Sequence, residues 1–495
     1  MNKDDLPPRT TPYYSKYQRD IFIKGAETGE LPTFSTDPDL LEALPCPRWV
    51  WLSPGRRMLT RACAFCDDLQ AKASETLTAG GKYYAVSNAG SSWTHYANRE
   101  AFYRHRIVPR MLVDTNQRDM SCTLKLGTKT FTFDAPIGFA PIGINKIYHP
   151  LGELNSAHVA RDLRLPYCLS TAGSQSIPDV AEANGDGTRF FQLYWPHDEE
   201  LTISILKQAI SSGFQACFLT LDTWQLAWRH GDVANANYAF YRGIGYELGK
   251  GNEVFQRRCK ERGIELESPE AGQFWIDNVW CVARSLASPL FPDHPSDPTG
   301  IRRHGKAWSW EKLPWLIKTW KELSNGAPFV LKGIQSVADA KKAASIDGID
   351  GIVVSNHAGR QVDGAVASLD ALDEIVKSGV GEKLTVMFDS LLRVFFRALP
   401  GEEEGGCRLT DEIALELDRG VRGAADVAKA LCLGAKMVFV GRLWVYGMGI
   451  AGEYGVRHVM KSLLADFDIL FQSLKDFTRD ALVHVPNANL PPAKL

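Results

Sequence analysis

The stretch Gly351–Gly364 reads GIVVSNHAGRQVDG. Its first four residues are apolar. They break off into Ser355, Asn356 and His357, then Ala358-Gly359, then Arg360. This pattern predicts a strand buried on both faces that delivers a histidine and an arginine, three residues apart, to the end of a parallel sheet. Ligands of α/β proteins bind at that end of the sheet. A core strand followed by a polar turn looks the same over this stretch alone, so the rest of the chain has to decide.

Working outward, similar short runs recur. They are PIGFAPIG (136–143), PYCLST (166–171), RFFQLY (189–194), ACFLTLD (216–222), PFVLKG (328–333), TVMFDS (385–390) and MVFVGR (437–442), mostly separated by helix-like segments. Near-continuous apolar strands alternating with helices mean a parallel sheet covered on both faces, and eight of them predict a closed (β/α)8 TIM barrel. Polar residues gather at the C-terminal ends of these runs: Ser170, Gln192 and Tyr194, Thr220 and Asp222, Lys332, His357 and Arg360, Asp389, and Gly441-Arg442. A barrel brings these ends to one mouth, so residues hundreds apart in sequence become neighbours there.

Around the barrel we expect an N-terminal helical segment (1–110), the barrel itself (111–480) and a C-terminal tail (481–495). Within the first segment, 82–92 reads as a polar stretch followed by a helix over 93–102. The whole chain has 495 residues, 45% hydrophobic and 23% charged, with a net charge of −2. This is ample material for a large core. Near-neutral charge gives no reason to expect nucleic acid or an anionic membrane as partner. No apolar leader opens the chain, and no run of 18 apolar residues predicts a membrane span. The ten scattered cysteines are expected as free thiols; Cys63-Ala-Phe-Cys66 is a lone CxxC without a second pair, and no metal site is expected. The final tripeptide Ala493-Lys494-Leu495 is close to the SKL peroxisomal address, so the location is expected to be cytoplasmic or peroxisomal.

One further signal is for phosphate. Gly420-Val421-Arg422, a helix pattern from Ala424, and an eighth strand ending in Gly441-Arg442 fit the barrel phosphate site. Glycines admit backbone N–H groups to an anion, a helix N-terminus adds partial positive charge, and the arginines add bidentate donors. No GxGxxG opens a βαβ unit, which argues against a nicotinamide-binding Rossmann domain.

Taken together, SNHAGRQVDG, FFQLY, LTLDT, VLKGI and APIGINKIYHPLGE resemble the FMN-dependent α-hydroxy acid oxidase/dehydrogenase family, from about Tyr84 to about Leu464. The resemblance implies FMN as cofactor and oxidation of an (S)-2-hydroxy acid to a 2-oxo acid, as in lactate oxidase or lactate 2-monooxygenase. It implies oxygen as acceptor and a homotetramer. His357 would be the base, Asp222 its partner, and Arg360 and Arg229 the carboxylate binders. Tyr84 and Tyr194 would bond the substrate, and Lys332 would sit beside the flavin. Pro141, Ile142 and Gly143, with Ser170, Gln192, Thr220 and Ser355, would hold the ring. Asp389, Gly420, Arg422, Gly441 and Arg442 would hold the ribityl chain and phosphate.

This chain departs from the family pattern in several places. Ala172 stands where glycolate oxidases carry tryptophan, which implies room for a larger substrate side chain. Ser87-Asn88 replaces a small Gly-Gly, and Leu443 replaces a proline. Three segments read as insertions: 45–70, 281–303 and 391–419. The last separates Asp389 from Gly420, so an alternative reading is an impaired or inactive barrel whose phosphate site is broken there.

Overall fold

The computed structural model describes residues 12, 14, 16–18, 20, 66–115, 119–237, 239–280, 307–389, 423–474 and 476–486. Two of the expected insertions, 281–303 and 391–419, lie outside the described residues, as do Gly420 and Arg422. So does 45–70 up to residue 65.

Eight parallel strands close into a barrel: β1 Ile137–Phe139, β2 Tyr167–Ser170, β3 Arg189–Leu193, β4 Cys217–Thr220, β5 Phe329–Ile334, β6 Gly351–Val354, β7 Thr385–Asp389 and β8 Val438–Val440. Each falls within one of the apolar runs read from the sequence, except that β5 extends one residue past its run, to Ile334. Closure comes from β8, which pairs with β7 on one side and β1 on the other. Helices cover the outside, among them Glu153–Asp162, Ile177–Asn184, Glu199–Ser211, Leu313–Leu323, Ser368–Lys377 and Ala424–Cys432. Several start on a residue whose side chain satisfies an otherwise orphaned N–H: Ser176 accepts from Asp179, and Asp198 accepts from Leu201.

Side chains alternate along a strand, so residues two apart share a face. In the barrel interior this yields two layers of opposite chemistry. The lower layer is Cys168, Phe190, Phe218, Val330, Val353, Met387 and Phe439. Phe190 and Phe218 stack with centroids 5.1 Å apart. Two residues on along their strands come Ser170, Gln192, Thr220, Lys332, Ser355 and Asp389, all buried and all polar. An antiparallel hairpin, Cys122–Leu126 with Lys129–Phe133, adds Leu124, Leu126, Phe131 and Phe133 to the lower layer. Phe131 meets the edge of Phe190 at 5.4 Å. The hairpin therefore plugs the N-terminal end of the barrel, and only the polar end opens to a ligand.

The segment before the barrel differs in detail from expectation. It contains helices Cys66–Thr76, Ala79–Val86 and Trp93–Arg104. The first half of the polar stretch 82–92 is thus helical. Its helix is started by Thr78, whose hydroxyl accepts from the Gly81 N–H. A short strand, His105–Ile107, pairs antiparallel with Leu482–His484, so the two ends of the described chain are tied together. Cys122, Cys168, Cys217, Cys259 and Cys432 are free thiols. Among the described residues no helix is long and apolar enough to cross a membrane.

Phe190 is fully buried where hairpin and barrel meet. Phe190→Ala is expected to lower the free energy of unfolding by about 3–5 kcal/mol in urea titrations. Thr130→Ala, exposed on the same hairpin, is expected to stay within about 0.5 kcal/mol of wild type.

Candidate active site

His357 reaches the barrel mouth on an unusual backbone. His357, Ala358 and Gly359 have successive φ values of 54°, 60° and 72°. Two non-glycine residues in the left-handed region are strained, and such strain persists only where the surroundings over-determine it. Here they do. Ser355 Oγ accepts the His357 N–H at 3.0 Å, and Asn356 Oδ1 accepts the Gly359 N–H at 3.2 Å. The Asn356 and Asn98 amides bond each other in both directions, at 2.7 and 3.0 Å. Gly359 has to be glycine, because a Cβ there would lie 3.0 Å from the His95 backbone nitrogen.

Asp222 comes from the end of β4. Its Oδ1 lies 2.7 Å from His357 Nδ1 and accepts the Thr223 hydroxyl at 2.8 Å. Burial opposes ionisation of Asp222, but the His357 imidazole and the Lys332 ammonium prevail and hold its carboxyl at about 2. Burial likewise pushes the His357 pKa below its ordinary value, opposed by Asp222 and reinforced by Lys332 and Arg229. The imidazole is therefore neutral at pH 7. The carboxylate, an acceptor, fixes its hydrogen on Nδ1, which leaves Nε2 as the basic nitrogen.

Lys332 is 4% exposed. Its Nζ lies 3.1 Å from Asp389 and 3.9 Å from Asp222, and donates to Ser355 Oγ at 3.2 Å. Burial disfavours its charge, but the two carboxylates outweigh that and raise its pKa. Across the mouth, Ser170 Oγ donates to Gln192 Oε1 at 3.0 Å and Gln192 Nε2 donates to Thr220 Oγ1 at 2.9 Å. This chain of bonds fixes which way the Gln192 amide faces.

Two buried arginines complete the set. Arg360 donates to the carbonyls of Tyr84 and Ser87 at 2.8 and 2.9 Å, and its guanidinium lies over the Tyr84 ring at 4.8 Å. Arg229 donates to the Arg360 carbonyl at 3.0 Å and to Gln361 Oε1 at 2.9 Å, while its Nη1 is buried with no hydrogen-bond partner. Burial, then the neighbouring Arg360, pull the Arg229 pKa down to about 10, so Arg229 stays a cation at neutral pH.

One wall is backbone. The Ile144 N–H bonds the Ala172 carbonyl at 2.9 Å. A Cβ on Gly143 would lie 2.7 Å from that carbonyl, which is why glycine stands there. The two loops are clamped by Glu153, fully buried, which accepts from the Asn145 N–H and from the Ser174 N–H and hydroxyl. At the far end Gly441 precedes a helix that begins at buried Arg442, whose Nη2 lies 3.4 Å from Asn88 Oδ1.

These parts line one cavity, about 1040 Å³ of space counted together with its open mouth. Of the residues singled out from the sequence, Tyr84, Tyr194, Arg229, His357 and Arg360 line it, with Ala172. So do Pro141, Ile142, Gly143, Ser170, Gln192 and Thr220, then Lys332, Asp389, Gly441 and Arg442. Asp222 and Ser355 stand just behind, bonded to His357. Lining residues not singled out include Tyr148, Thr223, Leu226 and Phe240. Thr223 was open to notice, being the neighbour of Asp222 in LTLDT. Leu226 and Phe240 lie after β4 in a segment without strand periodicity, and nothing in the sequence marks them.

Residues 73–394 and 406–475 match the family described as FMN-dependent dehydrogenase. The chain is 36% identical over 453 residues to an FMN-dependent alpha-hydroxy acid dehydrogenase of Penicillium citrinum, covering 92% of this chain and 90% of that one. It is 33% identical over 404 residues to an L-lactate oxidase of Lysinibacillus sphaericus, covering 81% and 86%. A crystal structure of mandelate oxidase with (S)-2-phenylpropionate superposes with a TM-score of 0.61 at 25% identity, over 84% of this chain and 96% of that chain. The match spans the barrel and the helices before it, and the chain belongs to the FMN-dependent α-hydroxy acid dehydrogenases and oxidases, enzymes that act on CH–OH donors with FMN as cofactor.

Proposed function

We propose that the protein oxidises an (S)-2-hydroxy acid with a bulky apolar side chain to the 2-oxo acid, with oxygen as the acceptor. The observation that carries this reading is the Asp222–His357 pair in the same cavity as the Arg229 and Arg360 guanidiniums. An α-hydroxy acid needs a base for its hydroxyl or α-carbon proton and cations for its carboxylate, and both are present within one cavity.

The residues present also fit FMN. The flat backbone wall at Gly143, the fixed Gln192 amide and the charged Lys332 suit a planar ring rich in amide groups. Buried Arg442 at a helix N-terminus suits a phosphate. Bound there, FMN supplies the two-electron sink that the oxidation requires. Gln192, Thr220 and Ser170 would hold the ring, and Lys332 would place positive charge at its edge.

The chain's own side chains have separate tasks. Arg229 and Arg360 grip the carboxylate as planar forks, and the buried Arg229 Nη1 without a partner is available for it. Tyr84 and Tyr194 orient the substrate. Burial keeps the Tyr194 pKa well above the usual phenol range, so its hydroxyl stays a donor. His357 Nε2 takes the proton, and Asp222 stabilises the imidazolium that results. Ala172, Leu226 and Phe240 leave an apolar volume beside these groups, which supports a substrate larger than glycolate. The L-lactate oxidase among the relatives supports oxygen as acceptor. The alternative of an impaired barrel rests on 391–419, outside the described residues, and no feature of the described site favours it.

A panel of glycolate, L-lactate, L-2-hydroxyisocaproate and (S)-mandelate tests the proposal by anaerobic bleaching of the flavin band. The larger acids are expected to bleach it fastest, and a clear preference for glycolate refutes the apolar subsite. His357→Ala is expected to lower kcat/KM by about 10²–10⁴-fold, the worth of a positioned base, with the flavin spectrum unchanged. The base works only when neutral, and its pKa lies below the ordinary 6.5. The acid half-point of the kcat/KM profile is therefore expected below pH 6.5. A limb above pH 7 would contradict this.

A further inference from the structure

Thr223 touches both members of the base pair. Its hydroxyl donates to Asp222 Oδ1 at 2.8 Å, and the same oxygen lies 3.1 Å from His357 Nδ1. It is 5% exposed and lines the cavity. The other groups facing the imidazole are Asp222, Lys332 and Arg229, with Arg360, Tyr84 and Tyr194 on the remaining sides of the cavity. Lys332 approaches Asp222 from its other oxygen, 3.9 Å away.

A threonine hydroxyl has one hydrogen and two lone pairs. With that hydrogen given to Asp222, the oxygen turns lone pairs toward His357 Nδ1. An imidazole bare at Nδ1 would then face two acceptors and no donor, so only the Nδ1–H form satisfies the triangle. The same donated hydrogen draws charge from the one carboxylate oxygen that holds the imidazole. A carboxylate already accepting a hydrogen bond stabilises a neighbouring cation less.

We infer that Thr223 is a positioning residue for proton abstraction, locking His357 in the Nδ1–H form and tempering the hold of Asp222 on the imidazolium. This rests on the reading of His357 as the base. Two effects follow. Nε2 is kept bare toward the cavity, and the imidazole is kept deprotonated to lower pH than the carboxylate alone would allow.

Thr223→Val keeps the shape and removes the hydroxyl. In the FMN-loaded enzyme its acid limb in kcat/KM is expected to move to higher pH by about half to one unit. Its plateau kcat should fall while KM, set by the arginines, holds. Thr223→Ser is expected to restore both. An acid limb that superimposes on wild type refutes the inference, and so does a serine variant that behaves like valine. Loss of FMN binding in the valine variant also refutes it, since Thr223 would then serve the cofactor cavity and not the base. ¹⁵N NMR of the His357 ring gives a readout without turnover: Nδ1 stays protonated in both proteins because Asp222 remains 2.7 Å away, and the imidazolium signals appear at higher pH in Thr223→Val than in wild type. A wild-type flavin that no 2-hydroxy acid bleaches withdraws the role of His357 as base, while the NMR result still decides whether Thr223 tempers the protonation of its ring.

Discussion

Register across β4, β5 and β6 is the constraint on which the site depends, because Asp222 and His357 come from the two outer strands of that trio and lie far apart along the chain. Lys332 of β5 lies opposite Thr220 of β4 and Val353 of β6. That alignment sets Asp222, two residues past Thr220, against His357, four past Val353. A slip of one residue on any of the three would turn its polar residue outward to the helices and bring a helix-facing residue into the barrel. The register is adjusted once, at a bulge between Lys332 and Ile334, where Gly333 takes a φ of 100°. A Cβ on Gly333 would lie 2.8 Å from the Asp222 carboxylate, so the irregularity also makes room for that carboxylate.

The run after β6 does a second task that is separate from chemistry. Asp363 accepts the N–H groups of Ser91 and Thr94, and the Val362 carbonyl accepts the Thr94 hydroxyl. The helix Trp93–Arg104 begins on Ser92, which has no side-chain cap of its own, so Asp363 replaces one from across the fold. With the Asn98–Asn356 amide pair, these bonds fasten the segment carrying Tyr84, Ser87 and Asn88 onto the barrel mouth. Arg360 completes the fastening through the Tyr84 and Ser87 carbonyls, so its guanidinium is held before any substrate arrives.

Much of this was legible in the sequence because a parallel barrel writes itself in a regular code. Each strand is a short apolar run, and its functional residue follows at a fixed phase. The eight strands and the polar strand ends could therefore be read without contacts. Other features escaped for definable reasons. The plugging hairpin 122–133 alternates exposed and buried residues, yet nothing in that alternation says which hole it fills. The pairing of His105–Ile107 with Leu482–His484 joins residues more than 370 apart in the chain through strands of three residues, too short for any periodicity. The positive φ of His357 and Ala358 is invisible because neither residue type favours it; the tertiary bonds impose it. Leu226 and Phe240 reach the cavity from irregular chain after β4, where position follows from packing alone.

The two barrel layers also divide the electrostatics of the molecule. The chain as a whole carries a net charge of −2, yet four cations, Lys332, Arg229, Arg360 and Arg442, meet at the mouth with two acids, Asp222 and Asp389. The interior is thus locally positive within a slightly acidic protein, and its field points inward for small anions. On the proposed function substrate and product both keep the carboxylate, so the guanidinium pair would grip them alike. Binding that is uniform along a reaction confers affinity and no rate. On the proposed function the arginines set how long an acid stays, and the speed of its conversion falls to His357 and the groups bonded to it.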